Sequence, residues 1–328
     1  MDEIRLGTVG SGKIVHNFLD NVARTDGISL GAVYSRTFEK GKALADEYGT
    51  ENVFTDMGEF LASPLFNTAY IATPNSLHYL QAKAALEAGK NVILEKPFCT
   101  TYEEAQDLAA TAREVGVFLI EAFPTTFLPN YEVIRENIPN LGKIKLVLAN
   151  YSQYSSRYDD LLAGKMTNIF DLGYAGGCLM DINYYNVELT EALFGEPVAA
   201  CYYPNMYPGA ADTSGVMIME YDGFKAELVG AKDAWGVNYF QIEGEKGYIY
   251  IEGGSNGLKT VRTVLKDSDE TVTLQEDPDR LFYEVRGIVD LISSGDLERA
   301  EQRLEATLMA VKTVEATRTE AGIFFPVG

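Results

Sequence analysis

The first part of the chain switches repeatedly between two hydrophobic periods. Ile4-Arg5-Leu6-Gly7-Thr8-Val9 reads as a short strand, after which Ile14, Val15, Phe18, Leu19 and Val22 recur at helical spacing on one face. Residues 28–34 read as a second strand and 38–48 as a helix with Ala43, Leu44 and Tyr48 turned inward. A short strand over 52–54 and a fourth over 68–72 follow, and Leu77, Leu80, Ala84, Ala85 and Ala88 mark the next helix. Residues 91–94 make a fifth strand, Ala105, Leu108, Ala109, Ala112 and Val115 a helix face, and 117–120 a sixth strand. Strands alternating with helices predict an α/β Rossmann-type domain, and right-handed crossovers lay its strands in one doubly wound parallel sheet.

Beyond Pro129 the pattern changes. A long strand over 143–154 leads through a loop to a helix beginning near Leu179, with Ile182, Leu189 and Leu193 as its apolar stripe. Strands follow near 198–203, 213–221 and 224–231, the last two joined by Asp222-Gly223, a strong hairpin signal. More are expected near 239–243, 248–251, 261–265 and 271–274. Two helices close the chain, one through Phe282, Val285, Val289 and Ile292, the other through Leu304, Leu308, Val311 and Val314. This predicts an α+β C-terminal domain on a large, mostly antiparallel open sheet. The expected division is 1–121 for the nucleotide domain and 122–328 for the substrate and oligomerisation domain.

Chemistry concentrates at strand ends. Gly10-Ser11-Gly12-Lys13-Ile14 joins the first strand to the first helix, the setting a dinucleotide fingerprint needs. Gly10 permits the tight turn, Gly12 lets the backbone approach a pyrophosphate, and the helix N-terminus offers unpaired N–H groups to it. Val15 stands where the fingerprint has its third glycine, so helix and strand are expected slightly further apart. The second strand ends at Tyr34-Ser35-Arg36-Thr37, with no acid before Glu39 to hold a ribose hydroxyl. A hydroxyl and a guanidinium suit a 2′-phosphate, so Ser35 and Arg36 favour NADP, with NAD as the alternative. A solvated loop arginine is the plainer reading of Arg36. The fifth strand closes on Glu95-Lys96-Pro97, two opposite charges at the carboxyl edge where such sheets bind ligands. Alone, the tripeptide reads first as a surface ion pair before a strand-ending proline. Behind a correctly framed glycine turn, Lys96 becomes a group able to hold or protonate a substrate oxygen.

Composition narrows the classes. The 328 residues suffice for two cores. Net charge is −21, from 27 Lys and Arg against 48 Asp and Glu, which argues against nucleic acid or an anionic membrane as partner. Cys99, Cys178 and Cys201 are few and scattered, which fits a reducing cytoplasm and neither a disulfide framework nor a zinc site. His16 and His78 are the only histidines, so no metal site is expected. No apolar N-terminal segment or membrane-length run appears, and a cytoplasmic protein is expected.

Five groups of residues carry a resemblance. Gly10-Ser11-Gly12, Thr73-Pro74-Asn75 with His78, Glu95-Lys96-Pro97, Glu121-Ala122-Phe123 and Gly176-Gly177-Cys178-Leu179-Met180-Asp181 with Tyr185 resemble the glucose–fructose oxidoreductase / inositol dehydrogenase / MocA family, across essentially the whole chain. The sequence looks most like the dihydrodiol/aldose dehydrogenase-like branch, in which tyrosine replaces an active-site histidine. The resemblance implies that Thr73, Pro74, Asn75 and Glu95 contact the cofactor, with His78 close behind. It implies that Asp181 and Tyr185, four apart on one helix face, join Lys96 in proton transfer. By itself a tyrosine on an apolar face, one of 20 in the chain, reads as core. The resemblance also implies a homodimer or homotetramer made by pairing the open sheets.

No histidine follows His78, which excludes a histidine acid/base in the second domain. The expected reaction is reversible hydride transfer between nicotinamide C4 and a hydroxyl- or carbonyl-bearing carbon of a sugar, polyol or diol. Tyr185 would be the acid/base, eased by the ammonium of Lys96, and Asp181 would orient the substrate. A variant makes Lys96 the proton donor and Tyr185 a binding group. A non-catalytic dinucleotide sensor is the alternative, disfavoured by the retention of Lys96, Asp181 and Tyr185. A redox-assisted glycosidase lacks its histidine. The stretch Pro124-Thr125-Thr126-Phe127-Leu128, without the family's arginine, and Asn183, where glycine is common, are expected to border the substrate pocket. The aromatic-rich segments 151–158 and 202–207 suit stacking on a sugar ring, but are expected to be sheet surface covered in a dimer.

Overall fold

The computed structural model describes residues 3–326, so residues 1–2 and 327–328 of the expected domains lie outside the described residues. β1 (Ile4–Val9), β2 (Ile28–Tyr34), β3 (Val53–Phe54), β4 (Thr68–Ile71), β5 (Asn91–Glu95) and β6 (Leu119–Ala122) pair in the order β3-β2-β1-β4-β5-β6, every pair parallel. The helices between them are α1 (Lys13–Val22), α2 (Phe38–Tyr48), α3 (Met57–Ala62), α4 (His78–Glu87) and α5 (Tyr102–Val115). This is the doubly wound sheet that the alternation predicts. Ala69-Tyr70-Ile71 and Val92-Ile93-Leu94 are sealed from solvent, as strands covered on both faces require.

Two details differ from the sequence reading. α3 was not expected, and its start is fixed by Asp56, whose carboxylate accepts from the Glu59 amide. Of the apolar residues that mark α4 in the sequence, Ala85 is buried but Leu80 is 66 % exposed, because the buried face runs through His78, Ala82, Ala85 and Leu86. The buried imidazole at the start of this helix sets its rotation.

The second half forms α6 (Pro129–Asn137), β7 (Ile144–Ser152), α7 (Ser156–Leu162), α8 (Tyr184–Phe194) and seven further strands. These are β8 (Ala199–Met206), β9 (Asp212–Tyr221), β10 (Phe224–Ala231), β11 (Tyr239–Gly244), β12 (Gly247–Glu252), β13 (Thr260–Leu265) and β14 (Ser268–Val272). They pair in the order β14-β13-β12-β11-β7-β10-β9-β8, antiparallel except between β10 and β7. β9 and β10 turn at Asp222-Gly223, as expected. The last strand lies earlier than the 271–274 reading. Its residues Ser268, Asp269 and Glu270 are exposed on an edge, and a bidentate Arg262–Asp269 contact at 2.8 and 2.6 Å joins it to β13. Hydropathy does not register a strand of this kind.

α9 (Arg280–Ser294) and α10 (Leu297–Glu320) close the chain. Two compact units result: one runs up to Phe123 and takes in Leu281–Leu308, and the other comprises Pro124–Arg280 with the stretch from Met309. In the first, the Thr307 hydroxyl donates to the buried Glu121 carboxylate at 2.7 Å and ties α10 to β6. In the second, Thr313 of α10 donates to Glu191 of α8 at 2.5 Å.

Burial pushes the Glu191 carboxyl up to about 8, against the Thr313 bond, which favours the ionised form. Because the folded value exceeds the unfolded 4.5, the folded state holds the proton more tightly between the two. Stability from this group is therefore full below about pH 4.5 and is lost as pH rises towards about 8, by at most about 1.4 kcal/mol per pH unit. Glu191→Gln is expected to remove that slope and to unfold at a higher temperature than the wild type in mildly alkaline buffer. Thermal melts of both proteins across this range check it.

Candidate functional site

Three turns at the carboxyl edge of the parallel sheet converge. The turn after β1 carries Gly10, Ser11 and Gly12, and strand order reverses between β1 and its neighbour β4. Such a switch point opens a crevice between the two strand ends. Gly10 has φ +121°, and a Cβ there would lie 2.4 Å from the Ala72 carbonyl oxygen, so the β1 and β4 turns touch through this residue. Gly12 differs. Its φ of −81° suits any residue, and a Cβ built on it meets nothing within 4 Å. The space is left open at the start of α1, where no side chain caps the first turn and Lys13 and Ile14 supply the first helical amides. A pyrophosphate fits this cradle: its oxygens would face the N–H groups and the positive end of the helix dipole. Ser35 is buried at the end of β2 and its hydroxyl accepts from the Thr37 amide at 3.4 Å, while Arg36 is exposed beside it.

The turn after β4 holds Thr73, Pro74 and Asn75, all half-buried, and Asn75 begins a single 3₁₀ turn that runs into α4. Thr73 donates its hydroxyl to Gln81 at 2.7 Å. His78 is fully buried, with Nδ1 3.0 Å from the Pro97 carbonyl and Nε2 3.0 Å from the Thr73 carbonyl. Burial is the largest influence on this ring and pushes its pKa below the usual imidazole value, against both carbonyl contacts. His78 thus braces the β4 turn against the β5 turn from behind and presents no surface of its own. On the β5 turn, the buried Glu95 accepts from the Tyr70 hydroxyl at 2.7 Å, Lys96 is half-buried, and the Lys96–Pro97 peptide is cis.

The second unit holds Asp181 and Tyr185. A wide helical turn of π type over Leu179–Asn183 precedes α8, so the two residues straddle a change of helical pitch. Asp181 pairs with the ammonium of Lys232, a lysine only 4 % exposed just past β10. The Tyr185 hydroxyl oxygen accepts from Arg280 at 3.1 Å, and its ring meets Tyr151 edge-on at 5.8 Å. Arg280 and Tyr151 also line a cleft of about 950 Å³ with Asn256, Lys259 and Tyr250. Lys232, Arg280 and Asn256 escaped the sequence reading, since none stands in a motif.

Asn183 and Thr125, expected at the pocket border, are sealed inside. Asn183 donates to the Leu228 carbonyl at 3.2 Å, and Thr125 donates to the Ser255 carbonyl at 2.8 Å. Of the tyrosines read as sheet surface, Tyr151 and Tyr202 are buried, Tyr154 stacks on Trp235 at 5.7 Å, and Tyr203 is 63 % exposed. Among the described residues, no group of three or more His, Cys, Asp or Glu side chains could hold a metal ion, and no helix is long and apolar enough to cross a membrane.

A glycine cradle at the switch point of a doubly wound sheet, joined to a unit on a large antiparallel sheet, defines a nicotinamide-dependent oxidoreductase class. Residues 4–123 match the model of the oxidoreductase family with an NAD-binding Rossmann fold, and residues 135–250 match the GFO/IDH/MocA C-terminal domain. The chain belongs to the GFO/IDH/MocA family. It is 33 % identical over 323 residues to scyllo-inositol 2-dehydrogenase (NADP(+)) IolU of Bacillus subtilis, covering 98 % of each chain. It is 27 % identical over 326 residues to D-xylose 1-dehydrogenase (NADP(+)) 2 of Haloferax volcanii, covering 95 % of this chain and 94 % of that one. Among solved structures, KijD10, a 3-ketoreductase from Actinomadura kijaniata in complex with TDP-benzene and NADP, superimposes with a TM-score of 0.82 at 22 % identity over 97 % of both chains.

The two glycines separate folding from cofactor binding. Gly10→Ala is expected to cost about 2 kcal/mol or more of stability, since it forces a strained φ and a backbone clash. Gly12→Ala is expected to stay within about 1 kcal/mol of wild type yet to weaken NADPH binding strongly. Thermal unfolding and fluorescence titration with NADPH, run on both variants, check the contrast.

Proposed function

We propose that the chain is an NADP-dependent oxidoreductase that transfers hydride between nicotinamide and a hydroxyl- or carbonyl-bearing carbon of a sugar, polyol or diol. The observation that carries this reading is the open cradle over Gly12 on the same sheet edge as Lys96. The relatives add the substrate class: the B. subtilis and H. volcanii enzymes are named for an inositol and a pentose, and both are named NADP(+) enzymes. Solved structures of KijD10 also include variants with a lysine changed to alanine and a tyrosine changed to phenylalanine, the two residue types assigned here to proton transfer.

The bound nicotinamide would supply or accept the hydride at C4. The protein's part is to bind, orient and move a proton. Gly10, Ser11, Gly12, Lys13 and Ile14 would hold the pyrophosphate through backbone N–H groups, and Ser35 with Arg36 the 2′-phosphate. Thr73, Pro74, Asn75 and Glu95 would border the ribose and nicotinamide. Lys96, Asp181 and Tyr185 would act on the substrate oxygen. Tyr185 would give or take the proton, Lys96 would stabilise the negative charge that develops on that oxygen, and Asp181, paired with Lys232, would accept from a neighbouring hydroxyl. NAD is the alternative cofactor.

The open face of the eight-stranded sheet supports a dimer or tetramer. Leu146, Val216, Ile218 and Val229 sit on adjacent strands of that face, Leu146 being 42 % exposed. Ile218→Arg is expected to lower the mass measured by light scattering, with NADPH binding retained.

The function is tested by titrating the protein with NADPH and NADH, beside Arg36→Ala, and then following NADP+ reduction with scyllo-inositol and D-xylose. Tight NADPH binding that weakens selectively in Arg36→Ala is expected. Lys96→Met and Tyr185→Phe should each lower turnover by about 10²- to 10⁴-fold at unchanged NADPH affinity. Binding of neither nucleotide would overturn the reading.

A further inference from the structure

Arg280 is the first residue of α9 and reaches Tyr185 of α8. Its Nη1 donates to the phenol oxygen at 3.1 Å, and the guanidinium carbon lies 5.3 Å from the centre of the Tyr185 ring. Asn256 fixes the arginine. Its Oδ1 accepts from the same nitrogen, while its Nδ2 donates to the Tyr151 hydroxyl, and the Tyr151 ring abuts Tyr185 edge-on. A guanidinium carries donors only. The Tyr185 oxygen is therefore an acceptor towards Arg280, and the phenol hydrogen is delivered in another direction.

We infer that Arg280 is a positioning residue for Tyr185, fixing the direction of the phenol hydrogen and balancing the charge left when that hydrogen departs. The inference rests on the proposed role of Tyr185 in proton transfer. In the reductive direction the Tyr185 O–H bond breaks and its hydrogen forms the O–H bond of the product alcohol. The electron pair that reduces the carbonyl carbon arrives with the hydride of the reduced nicotinamide. A tyrosinate is left, 3.1 Å from a guanidinium. With Tyr185 only 4 % exposed, that contact is worth far more than it would be in water. Asp181, the acid four residues before Tyr185, is taken up by Lys232. Its negative charge does not stand uncompensated beside the phenol. In the oxidative direction the same steps run backwards, and Arg280 holds the tyrosinate ready to take the alcohol hydrogen.

The test uses the full chain with NADP+ bound and carbon-13 at tyrosine Cζ, the Tyr185 resonance being identified by its loss in Tyr185→Phe. Arg280→Met is expected to shift the Tyr185 resonance while tyrosines outside the Tyr151–Asn256 group hold theirs, and Arg280→Lys to return it part of the way. With scyllo-inositol or D-xylose, kcat in Arg280→Met should fall about tenfold or more at unchanged Kd for NADPH. Arg280→Gln, which keeps a donor without the charge, replaces Arg280→Met if that variant does not fold. A Tyr185 resonance indifferent to loss of the guanidinium overturns the inference. A resonance that moves while Tyr185→Phe turns over as fast as wild type overturns the proton-transfer role of Tyr185 and leaves the contact standing, so the two failures are distinguishable.

Discussion

One buried imidazole holds the working edge of the first unit in shape. His78 lies between the carbonyl of Thr73 and the carbonyl of Pro97, 3.0 Å from each, with no exposed surface. Thr73 opens the Thr-Pro-Asn turn and Pro97 follows Lys96, so this ring fixes the spacing of the two segments that carry most of the candidate contacts. A neutral imidazole donates from one ring nitrogen only, so an apolar replacement would remove one hydrogen bond to a backbone carbonyl, at about 1–3 kcal/mol, together with the packing of the ring between the two turns. The Gly10 turn leans on the same β4 end through Ala72. The cradle, the Thr73–Asn75 turn and the Glu95–Lys96 turn therefore form one braced assembly in place of three independent loops.

That assembly was legible in the sequence because each part lies at the end of an apolar run. Glycines, a proline and charged residues at strand ends stand out against the periodic core on either side. The brace was less legible. Both nitrogens of His78 serve backbone carbonyls, and no side-chain pattern announces a carbonyl. The second unit concealed more. Lys232 lies 51 residues from Asp181 and Arg280 lies 95 residues from Tyr185. Only the folded sheet brings these pairs together, and each cation reads in the sequence as an ordinary loop or helix-end residue.

The remaining misses share a physical origin. α3 and α7 are too short to establish a helical period and depend on caps from Asp56 and Ser155. β14 is held by a cross-strand ion pair and edge pairing, neither of which leaves an apolar trace. Asn183 misled in the opposite direction. An asparagine where the family commonly has glycine suggests an altered pocket, yet its amide bonds the β10 backbone and the Asn186 side chain. Polarity at such a position marks a hydrogen bond, and the sequence does not say whether the partner is ligand or protein.

The charge of the chain bears on the site in a similar way. A net charge of −21 repels, at long range and low salt, a cofactor carrying several phosphates. Beyond about 8–10 Å, however, exposed charges are screened at ordinary ionic strength. What a phosphate bound as proposed would meet is the local arrangement: backbone N–H groups at the start of α1 and an arginine at the end of β2. The second unit follows the same principle. Lys232 is buried against the Asp181 carboxylate, and Arg280 is turned onto the Tyr185 phenol and Asn256, so each cation is committed to partners inside the fold. In a chain this acidic, a few cations placed inside the fold set the charge that their neighbouring oxygens meet, whatever the sign of the net charge.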